Sequence, residues 1–187
     1  MRQMRVISGE ARGRKLLSPK GLAVRPTGDR FRETLFDIIG PDIRDSAFLD
    51  LFAGSGAIGI EALSRGAESA VFVDNSPDAV RVIEKNIDLV RYRGRSLVLG
   101  TDCLEALRSL SEKGRSFDYI FMDPPYRLNL CTAVLRAIGD LSLLRAGGLV
   151  IAEQASDEEL PEAAGFVRSR IKEYTATRFV FLIREYE

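Results

Sequence analysis

Four consecutive residues, Asp123-Pro124-Pro125-Tyr126, combine groups that could hold a flat ring bearing an amino group. The Asp123 carboxylate and the Pro124 carbonyl accept hydrogen bonds and donate none, so both suit an exocyclic NH2 group, and the Tyr126 ring offers a stacking surface. The tetrapeptide follows the apolar run 117–122. Open α/β sheets bind ligands where a buried strand ends, and this position therefore predicts a ligand site.

A glycine-rich segment after an earlier apolar run has the spacing of a cofactor loop. Gly54, Gly56 and Gly59 match G-x-G-x-x-G between a predicted strand and a predicted helix. In such loops a ligand contacts the backbone at a helix N-terminus, and an acidic residue about 20 positions later binds a ribose. Asp74 occupies that place. The loop is compatible with a dinucleotide or another adenosine cofactor, or with a tight turn that binds no ligand.

Two acidic residues have a structural alternative to ligand binding, because each precedes a predicted helix. Asp74 ends the second predicted strand and would reach a ribose diol, but Asp74, Asn75 or Ser76 could instead cap the next helix. Asp102 follows the third predicted strand and could accept a hydrogen bond from an adenine amino group, or could cap the helix after it.

Composition excludes several kinds of chemistry. The 187 residues contain no histidine, which rules out serine-histidine triads, cysteine-histidine pairs and HExxH metalloproteases. Cys103 and Cys131 are too isolated to indicate a disulfide or a metal site. The length fits one main domain, and no segment has the pattern of a membrane span or a secretion signal. We therefore expect a cytoplasmic protein with no membrane partner and no metal.

Basic residues are concentrated near the N-terminus although the formal net charge is zero. Residues 1–32 contain nine Lys or Arg and two acidic residues, a balance of +7, against −7 for residues 33–187. Clustering of this kind favours phosphate contact. The candidate residues are Arg12, Arg14, Lys15, Arg25, Arg30 and Arg32. We interpret residues 1–44 as a nucleic-acid-engaging extension and residues 45–187 as the catalytic domain.

The extension is predicted to contain a β-hairpin and a helix. Residues 4–8 and 15–18 resemble short strands around a glycine-bounded loop. A helix should then run to about Ile39, with its apolar residues facing inward and with Arg30 and Arg32 closer to solvent.

The rest of the chain alternates between strand and helix patterns, which predicts a parallel sheet covered on both faces. The predicted strands are 47–52, 69–74, 96–99, 117–122 and 148–153, and the predicted helices are 58–65, 77–90, 103–113 and 131–138. Two late strands, 165–172 and 177–184, predict an antiparallel hairpin at the sheet edge.

The tetrapeptide Asp123 to Tyr126 distinguishes a nicotinamide cofactor from a methyl donor. A nicotinamide enzyme would use the glycine loop and Asp74 but has no use for Asp123 to Tyr126, whereas an enzyme that methylates an amino group of a base uses all of them. The sequence here resembles the class I S-adenosylmethionine-dependent methyltransferases with a D/N-P-P-Y/F motif.

Further segments resemble the RsmD family of bacterial 16S ribosomal RNA guanine-N2 methyltransferases. They are Arg12 to Leu16, Arg25-Pro26-Thr27, Arg32 to Phe36, Asp50 to Gly59 and Glu61 to Arg65. The resemblance covers nearly the whole chain. It implies a Rossmann-like class I methyltransferase fold with a mostly parallel seven-stranded sheet, helices on both faces, an antiparallel C-terminal edge hairpin and a small N-terminal β-hairpin extension.

The resemblance also implies roles for individual residues. Gly54 and Gly56 would hold the methionine part of S-adenosylmethionine, Asp74 its ribose and Asp102 its adenine. Asp123 and Pro124 would accept hydrogen bonds from the target amine, and Tyr126 would stack on the guanine. Other residues expected at the cofactor site are Asp50, Phe52, Ser55, Asn75 and Cys103. The implied partner is ribosomal RNA or the assembling small ribosomal subunit, and we expect a monomer.

Three other functions remain possible at this stage. An adenine-N6 DNA methyltransferase uses a similar tetrapeptide, but the chain contains no recognisable DNA-recognition domain. A nicotinamide oxidoreductase is disfavoured because neither Tyr-x-x-x-Lys nor histidine is present. A non-catalytic RNA-binding assembly factor would have no need of an intact Asp123 to Tyr126 motif.

Overall fold

A computed structural model of the chain describes residues 4–19, 28–124, 130–158 and 165–185. Its strands are β1 (Ala47–Leu51), β2 (Ser69–Val73), β3 (Ser96–Leu99), β4 (Phe117–Met122), β5 (Leu144–Ala155), β6 (Phe166–Glu173) and β7 (Thr177–Arg184). Its α-helices are α1 (Gly28–Ile39), α2 (Ala57–Ser64), α3 (Pro77–Val90), α4 (Cys103–Glu112) and α5 (Leu130–Asp140). Short 3₁₀ turns follow α1 at Gly40–Ile43 and precede β3 at Arg93–Arg95.

The seven strands form one sheet in the order β3-β2-β1-β4-β5-β7-β6. Strands β1 to β5 pair in parallel, whereas β7 runs antiparallel to both β5 and β6. This confirms the predicted mostly parallel sheet with an antiparallel edge hairpin. Chain order reverses between β1 and β4, because β2 lies on one side of β1 and β4 on the other. Ligands of open α/β sheets bind beside such a reversal, at the carboxyl ends of the strands.

Apolar side chains form a core on each face of the sheet. Leu35 of α1, Ile60 of α2 and Ile83 of α3 belong to one core, and Leu107 of α4 and Leu135 of α5 belong to the other. Every residue of β1 is buried, as expected for a parallel strand covered on both faces. The prediction of helices on both faces is therefore confirmed.

Gly59 allows α2 to pack closely against the sheet. A Cβ atom at this position would lie 2.4 Å from Cε1 of Phe72 in β2, closer than real atoms approach. The third glycine of the loop is thus required by packing between helix and strand, which is its usual role in this motif.

The N-terminal residues 4–19, here called the arm, form a hairpin with less β structure than predicted. Arg5 and Lys15 form an isolated antiparallel bridge, and the two flanking segments are not complete strands. The reason is that several backbone groups of the arm bond to side chains of α2 and α3. Ile7 and Ser8 donate their amide hydrogens to the Glu61 carboxylate, over 2.8 and 2.9 Å.

Two further anchors hold the arm against the helices. The Asn86 side chain accepts a hydrogen bond from Leu17 N and donates one to Leu17 O. Gly9 lies so close to α2 that a Cβ atom there would be 1.8 Å from the carbonyl oxygen of Ser64. Met4, Val6 and Leu16 are buried in the same core as α1, α2 and α3.

Strand β5 begins earlier than predicted, at Leu144 in place of Gly148. Its pairing with β4 contains a register irregularity, because Phe117 pairs with Leu144 but Tyr119 pairs with Leu149. The apolar pattern does not reveal this extension, because an irregular ladder does not keep the alternation of a regular strand.

None of the helices in the described ranges has the length and apolar character needed to cross a lipid bilayer. Cys103 and Cys131 are both free thiols. Burial raises the pKa of Cys103 to about 11 and that of Cys131 to about 12, so both are protonated at neutral pH.

Candidate ligand and nucleic-acid site

A cleft of about 430 Å³, here called the main cleft, opens beside the chain reversal between β1 and β4. Six residues predicted to bind the cofactor or the target amine line it: Asp50, Phe52, Gly54, Ser55, Asp74 and Asp123. They come from the ends of three strands and from the loop before α2. The carboxyl ends of parallel strands meet at one edge of the sheet, which is why residues distant in sequence come together here.

The glycine loop turns through left-handed backbone conformations. The φ angles are 64° at Phe52, 56° at Gly54 and 76° at Gly56. Glycine adopts these angles without strain, whereas a phenylalanine in this region costs about 1–3 kcal/mol. The Phe52 ring packs against the core on the α4 and α5 side, and this contact holds the strained turn at the cleft. Gly56 then begins α2 without any side-chain cap.

Asp50 supports the loop from inside the protein. It is 1% exposed, and its Oδ2 accepts a hydrogen bond from Gly59 N over 2.9 Å. The pKa of Asp50 is raised to about 7, mainly by burial and in part by the nearby carboxylates of Asp123 and Asp74, while the hydrogen bond from Gly59 opposes the rise. Asp50 therefore changes charge near neutral pH.

Asp74 connects the end of β2 to the glycine loop. Its Oδ2 accepts from Gly54 N over 2.8 Å, and its Oδ1 accepts from Ser76 N over 2.9 Å. The N-cap of α3 is Ser76, whose hydroxyl accepts from Ala79 N. Ser76, and not Asp74, is therefore the N-cap of α3. The Asp74 side chain lies at the wall of the main cleft.

Four predicted cofactor residues are not among those that line the main cleft: Gly56, Asn75, Asp102 and Cys103. Asp102 is the N-cap of α4, and its Oδ1 accepts hydrogen bonds from Leu104 N and Glu105 N. The structural alternative considered for Asp102 is therefore observed. Cys103 is buried and Asn75 is exposed at the start of the turn before α3.

The start of the tetrapeptide follows β4 at the same edge of the sheet. Asp123 is exposed and lines the main cleft, and Pro124 is buried behind it. Pro125 and Tyr126 lie outside the described residues. Asp123 thus lies in the same cleft as the glycine loop. The amine-binding roles of Asp123 and Pro124 and the stacking role of Tyr126 stay predictions.

Sequence reasoning missed several residues of the main cleft. Glu153 comes from β5, Met4 and Pro19 from the arm, and Asp29 and Phe31 from α1. The position of Glu153 near the end of a predicted strand was a usable signal. The arm and α1 gave no such signal, because their position over the sheet depends on long-range contacts.

Acidic side chains outnumber basic ones in the main cleft. Of the described residues that line it, Asp29, Asp50, Asp74, Asp123 and Glu153 are acidic and Arg32 is basic. Acidic walls with little access to bulk water attract a positively charged ligand. Among the described residues no group of three or more His, Cys, Asp or Glu has the arrangement of a metal site.

The prediction that Arg32 lies near solvent is wrong. It is 6% exposed, and its Nη2 donates to Asp29 Oδ1 over 2.8 Å and to the backbone oxygen of Arg5 over 2.9 Å. Burial lowers the pKa of Arg32, while Asp29 opposes that effect. The arm covers this side of α1, and the small exposed part of Arg32 lies at the wall of the main cleft.

The other described basic candidates are exposed. Arg12, Arg14 and Lys15 project from the arm and Arg30 from the first turn of α1, whereas Arg25 lies outside the described residues. Arg12 and Arg30 line a second cleft of about 510 Å³ together with Arg5. This space between the arm and α1 is here called the arm cleft.

Comparisons with known proteins agree on one family. A family model described as "Conserved hypothetical protein 95" matches residues 4–183. YlbH of Bacillus subtilis (strain 168) is 39% identical over 175 residues, which are 93% of this chain and 95% of that protein. The "Ribosomal RNA small subunit methyltransferase D" of Escherichia coli (strain K12) is 37% identical over 159 residues, which are 85% of this chain and 78% of that protein.

Solved structures show the same fold. The Escherichia coli protein yhhF superposes with a TM-score of 0.86 at 35% identity, covering 99% of both chains. A Thermus thermophilus 16S rRNA N2 G1207 methyltransferase, solved with AdoMet and guanosine, superposes with a TM-score of 0.70 at 22% identity. That match covers 89% of this chain and 45% of the other, and it supports the fold alone.

Proposed function

We propose that this methyltransferase, which belongs to the RsmD family, transfers a methyl group from S-adenosylmethionine to the exocyclic N2 of a guanine in small-subunit ribosomal RNA. The observation that supports this most is the position of Asp123 beside the glycine loop in one acidic cleft. A hydrogen-bond acceptor for an amine and a loop suited to an adenosine cofactor therefore share one space.

The residues of the main cleft fit S-adenosylmethionine. The volume of about 430 Å³ suits a ligand of that size, since small-molecule sites span about 300–1,000 Å³. The carboxylates of the cleft complement the positive charge of a sulfonium and an ammonium group. Backbone groups from Gly54 to Gly56 would hold the methionine part, and Asp74 would accept hydrogen bonds from the ribose. When bound, the cofactor supplies an electrophilic methyl group.

Asp123 and the Pro124 carbonyl are proposed to orient the target nitrogen. The lone pair of guanine N2 is delocalised into the ring, which makes the nitrogen a weak nucleophile. Hydrogen bonds from the amine to two fixed acceptors favour a pyramidal nitrogen whose lone pair points at the methyl group. As the nitrogen–carbon bond forms and the sulfur–carbon bond breaks, one proton leaves the nitrogen for Asp123 or for water. The chemistry requires no histidine.

Ribosomal RNA is proposed as the substrate because two observations agree. Relatives that are 34–37% identical to this chain carry the name "Ribosomal RNA small subunit methyltransferase D". Independently, exposed arginines of the arm and Arg30 meet at the arm cleft, where they could contact the phosphate backbone. A guanine within structured RNA would have to leave its stack to reach Asp123, and we propose that Tyr126 then stacks on it.

The direct test is transfer of a labelled methyl group. Small ribosomal subunits from a strain without this enzyme, protein-free small-subunit ribosomal RNA and duplex DNA would each be incubated with the protein and labelled S-adenosylmethionine. Label on a guanine N2 of the RNA supports the proposal. Label on adenine N6 of DNA would indicate the DNA methyltransferase, and RNA binding without transfer would indicate the assembly factor.

A further inference from the structure

Three clefts meet at the first turn of α1. Asp29 lines both the main cleft and the arm cleft. Arg30 lines the arm cleft and also a third cleft of about 470 Å³, and Phe31 lines that third cleft and the main cleft. One helical turn therefore connects the candidate reaction site with two separate surface depressions.

The third cleft, here called the hairpin cleft, lies between α1 and the end of the β6–β7 hairpin. Residues 172–177 form its far wall. Aromatic contacts fix the hairpin to the helix, because the Phe31 ring centroid lies 4.9 Å from that of Tyr174 and 4.0 Å from that of Phe179. The two walls are held at a defined separation, and a ligand can therefore contact both at once.

Basic residues of β6 are divided between the two faces of the sheet. Arg170 pairs with Phe181 and Lys172 with Phe179, and both phenylalanines belong to the core on the α1 side. Directly paired residues share a face, so Arg170 and Lys172 also face the α1 side. Arg168 pairs instead with Leu182, which belongs to the core on the opposite side.

A register irregularity between Arg168 and Arg170 causes this division. In a regular strand, residues two apart face the same side, so residues 168, 170 and 172 would all point together. The extra residue in β6 places Arg170 and Lys172 on the face of the sheet that carries α1 and leaves Arg168 on the other face.

The basic groups on the α1 side are available for a ligand. Arg30 and Arg170 are exposed, and Lys172 is half-buried at the wall of the hairpin cleft. The ion pairs found within the described ranges include none to these three residues. The acidic neighbour Glu173 is instead paired with Arg178, over 4.0 Å.

We propose that Arg170 and Lys172 form, together with Arg30, a second phosphate-binding surface, so that the RNA strand extends from the arm across α1 to the C-terminal hairpin. The inference rests on the proposed function for its ligand, which is the phosphate backbone beside the target guanine. Charge complementarity supports this ligand, because Lys172 and Arg30 on opposite walls of the hairpin cleft, with Arg170 on the same face of the sheet, can neutralise successive phosphates.

The closing experiment compares charge reversals on the two faces of the same strand. The test variant is the double substitution Arg170→Glu with Lys172→Glu, and the matched control is Arg168→Glu. Binding to small ribosomal subunits lacking the modification would be measured at several salt concentrations. Cofactor binding and methyl transfer would be measured with the same preparations, and intact cofactor binding shows that each variant is folded.

The double variant is expected to bind RNA roughly tenfold more weakly and to lower the slope of log K against log salt by about 2, one for each lost contact. Arg168→Glu should change neither quantity. Equal RNA binding by the double variant and the wild type would overturn the inference. The basic residues of β6 would then serve only to prevent this edge strand from pairing with another chain. Equal weakening by Arg168→Glu would also overturn it.

Failure of the proposed function would give a different result. If the wild type binds the subunits without transferring a methyl group, and the double variant still loses affinity, then the hairpin surface stands and the catalytic proposal falls. If methyl transfer is normal in the wild type but RNA affinity does not distinguish the variants, then the catalytic proposal stands and the hairpin surface falls.

Discussion

At the scale of single residues, Asp50 gives the main cleft a charge that depends on pH. Burial raises its pKa to about 7, so Asp50 is largely protonated below that pH and ionised above it. Ionisation makes the cleft more negative and favours a ligand that carries a sulfonium charge. S-adenosylhomocysteine lacks that charge and serves as a natural reference ligand.

We expect the affinity for S-adenosylmethionine, divided by that for S-adenosylhomocysteine, to rise between about pH 6 and about pH 8. The ionised fraction of a group with a pKa near 7 rises from about 0.1 to about 0.9 over this range, so the increase is at most about tenfold. Isothermal titration at each pH measures the ratio. Asp50→Asn should abolish its pH dependence, and a constant ratio in the wild type would contradict this account of the cleft.

Asp123 should matter for transfer more than for cofactor binding. Asp123→Ala removes a proposed acceptor of the target amine, and we expect methyl transfer to fall by about 10²–10³-fold. Cofactor affinity measured by calorimetry should change little. Glu112→Ala serves as the control, because Glu112 is an exposed acid at the C-terminal end of α4, at the edge of the sheet where β4 begins, and does not line the main cleft. Near-normal turnover of the Asp123 variant would remove the basis of the proposed mechanism.

Sequence reasoning located three of the five acids found among the described residues of the main cleft, and it missed Asp29 and Glu153. Asp50, Asp74 and Asp123 could be predicted because each lies at or just after the carboxyl end of a parallel strand, and these ends share one edge of the sheet. The burial of Arg32 could not be predicted from helical periodicity, because its partner is a backbone oxygen of the arm. The capping role of Asp102 was foreseen as one of two alternatives.

At the scale of elements, Asn86 of α3 links the arm to the glycine loop. Its side chain is fully buried, and besides its two bonds to Leu17 its Nδ2 donates to Ser55 O over 2.8 Å. One amide group therefore satisfies backbone groups from two segments that line the main cleft. A displacement of the arm would leave these groups unpaired.

We expect Asn86→Leu to destabilise the protein by roughly 3 kcal/mol, because it leaves buried backbone donors and acceptors without partners. Denaturant unfolding measures the loss of stability, and hydrogen exchange should show faster exchange at the Leu17 amide. Leu89→Ala on the exposed side of the same helix is the matched control and should change stability little. Unchanged exchange at Leu17 would mean that the arm does not depend on Asn86.

The elements that sequence reasoning predicted well are those that depend on local patterns. Strands β1 to β4 appear as short apolar runs, and α3 begins at a serine followed by proline, a clear start signal. The incomplete strands of the arm were not predicted, because their backbone partners are Glu61 and Asn86, more than fifty residues away in sequence. The earlier start of β5 depends on an irregular pairing that only the folded sheet defines.

At the scale of the whole molecule, the zero net charge conceals a local surplus of positive charge. Arg12 and Arg30 meet at the arm cleft, while acidic residues line the main cleft beside it. The acidic main cleft repels the phosphates of RNA, whereas the basic residues of the arm cleft attract them. RNA binding should therefore depend on local charge and not on the net charge.

The double substitution Arg12→Glu with Arg30→Glu is expected to reduce the salt dependence of RNA binding by about 2 in the log–log slope. Arg136→Glu, on the exposed side of α5 at the opposite face of the sheet, changes net charge by half as much and should leave the slope unchanged. Filter binding at increasing salt measures both. If Arg136→Glu lowers the slope by half as much as the double variant does, then each substitution has the same effect wherever it lies. Attraction by overall charge would then explain the binding.

Truncating the arm would be a poor test of the same question. Met4, Val6 and Leu16 belong to the core, and Met4 and Ser18 line the main cleft. Removal of residues 1–18 would expose that core and alter the cleft, so loss of RNA binding could not be separated from loss of structure. Single charge substitutions avoid this difficulty.

The anchoring of the arm also has a consequence for how the chain folds during synthesis. The ribosome makes the arm before its partners Glu61, Ser64 and Asn86, which follow it by 53–69 residues. Contacts of such long sequence separation form late, because the intervening chain must first be ordered. We therefore expect the arm to stay undocked on the translating ribosome until α3 has emerged, so that a segment made before α2 and α3 reaches its native place after them.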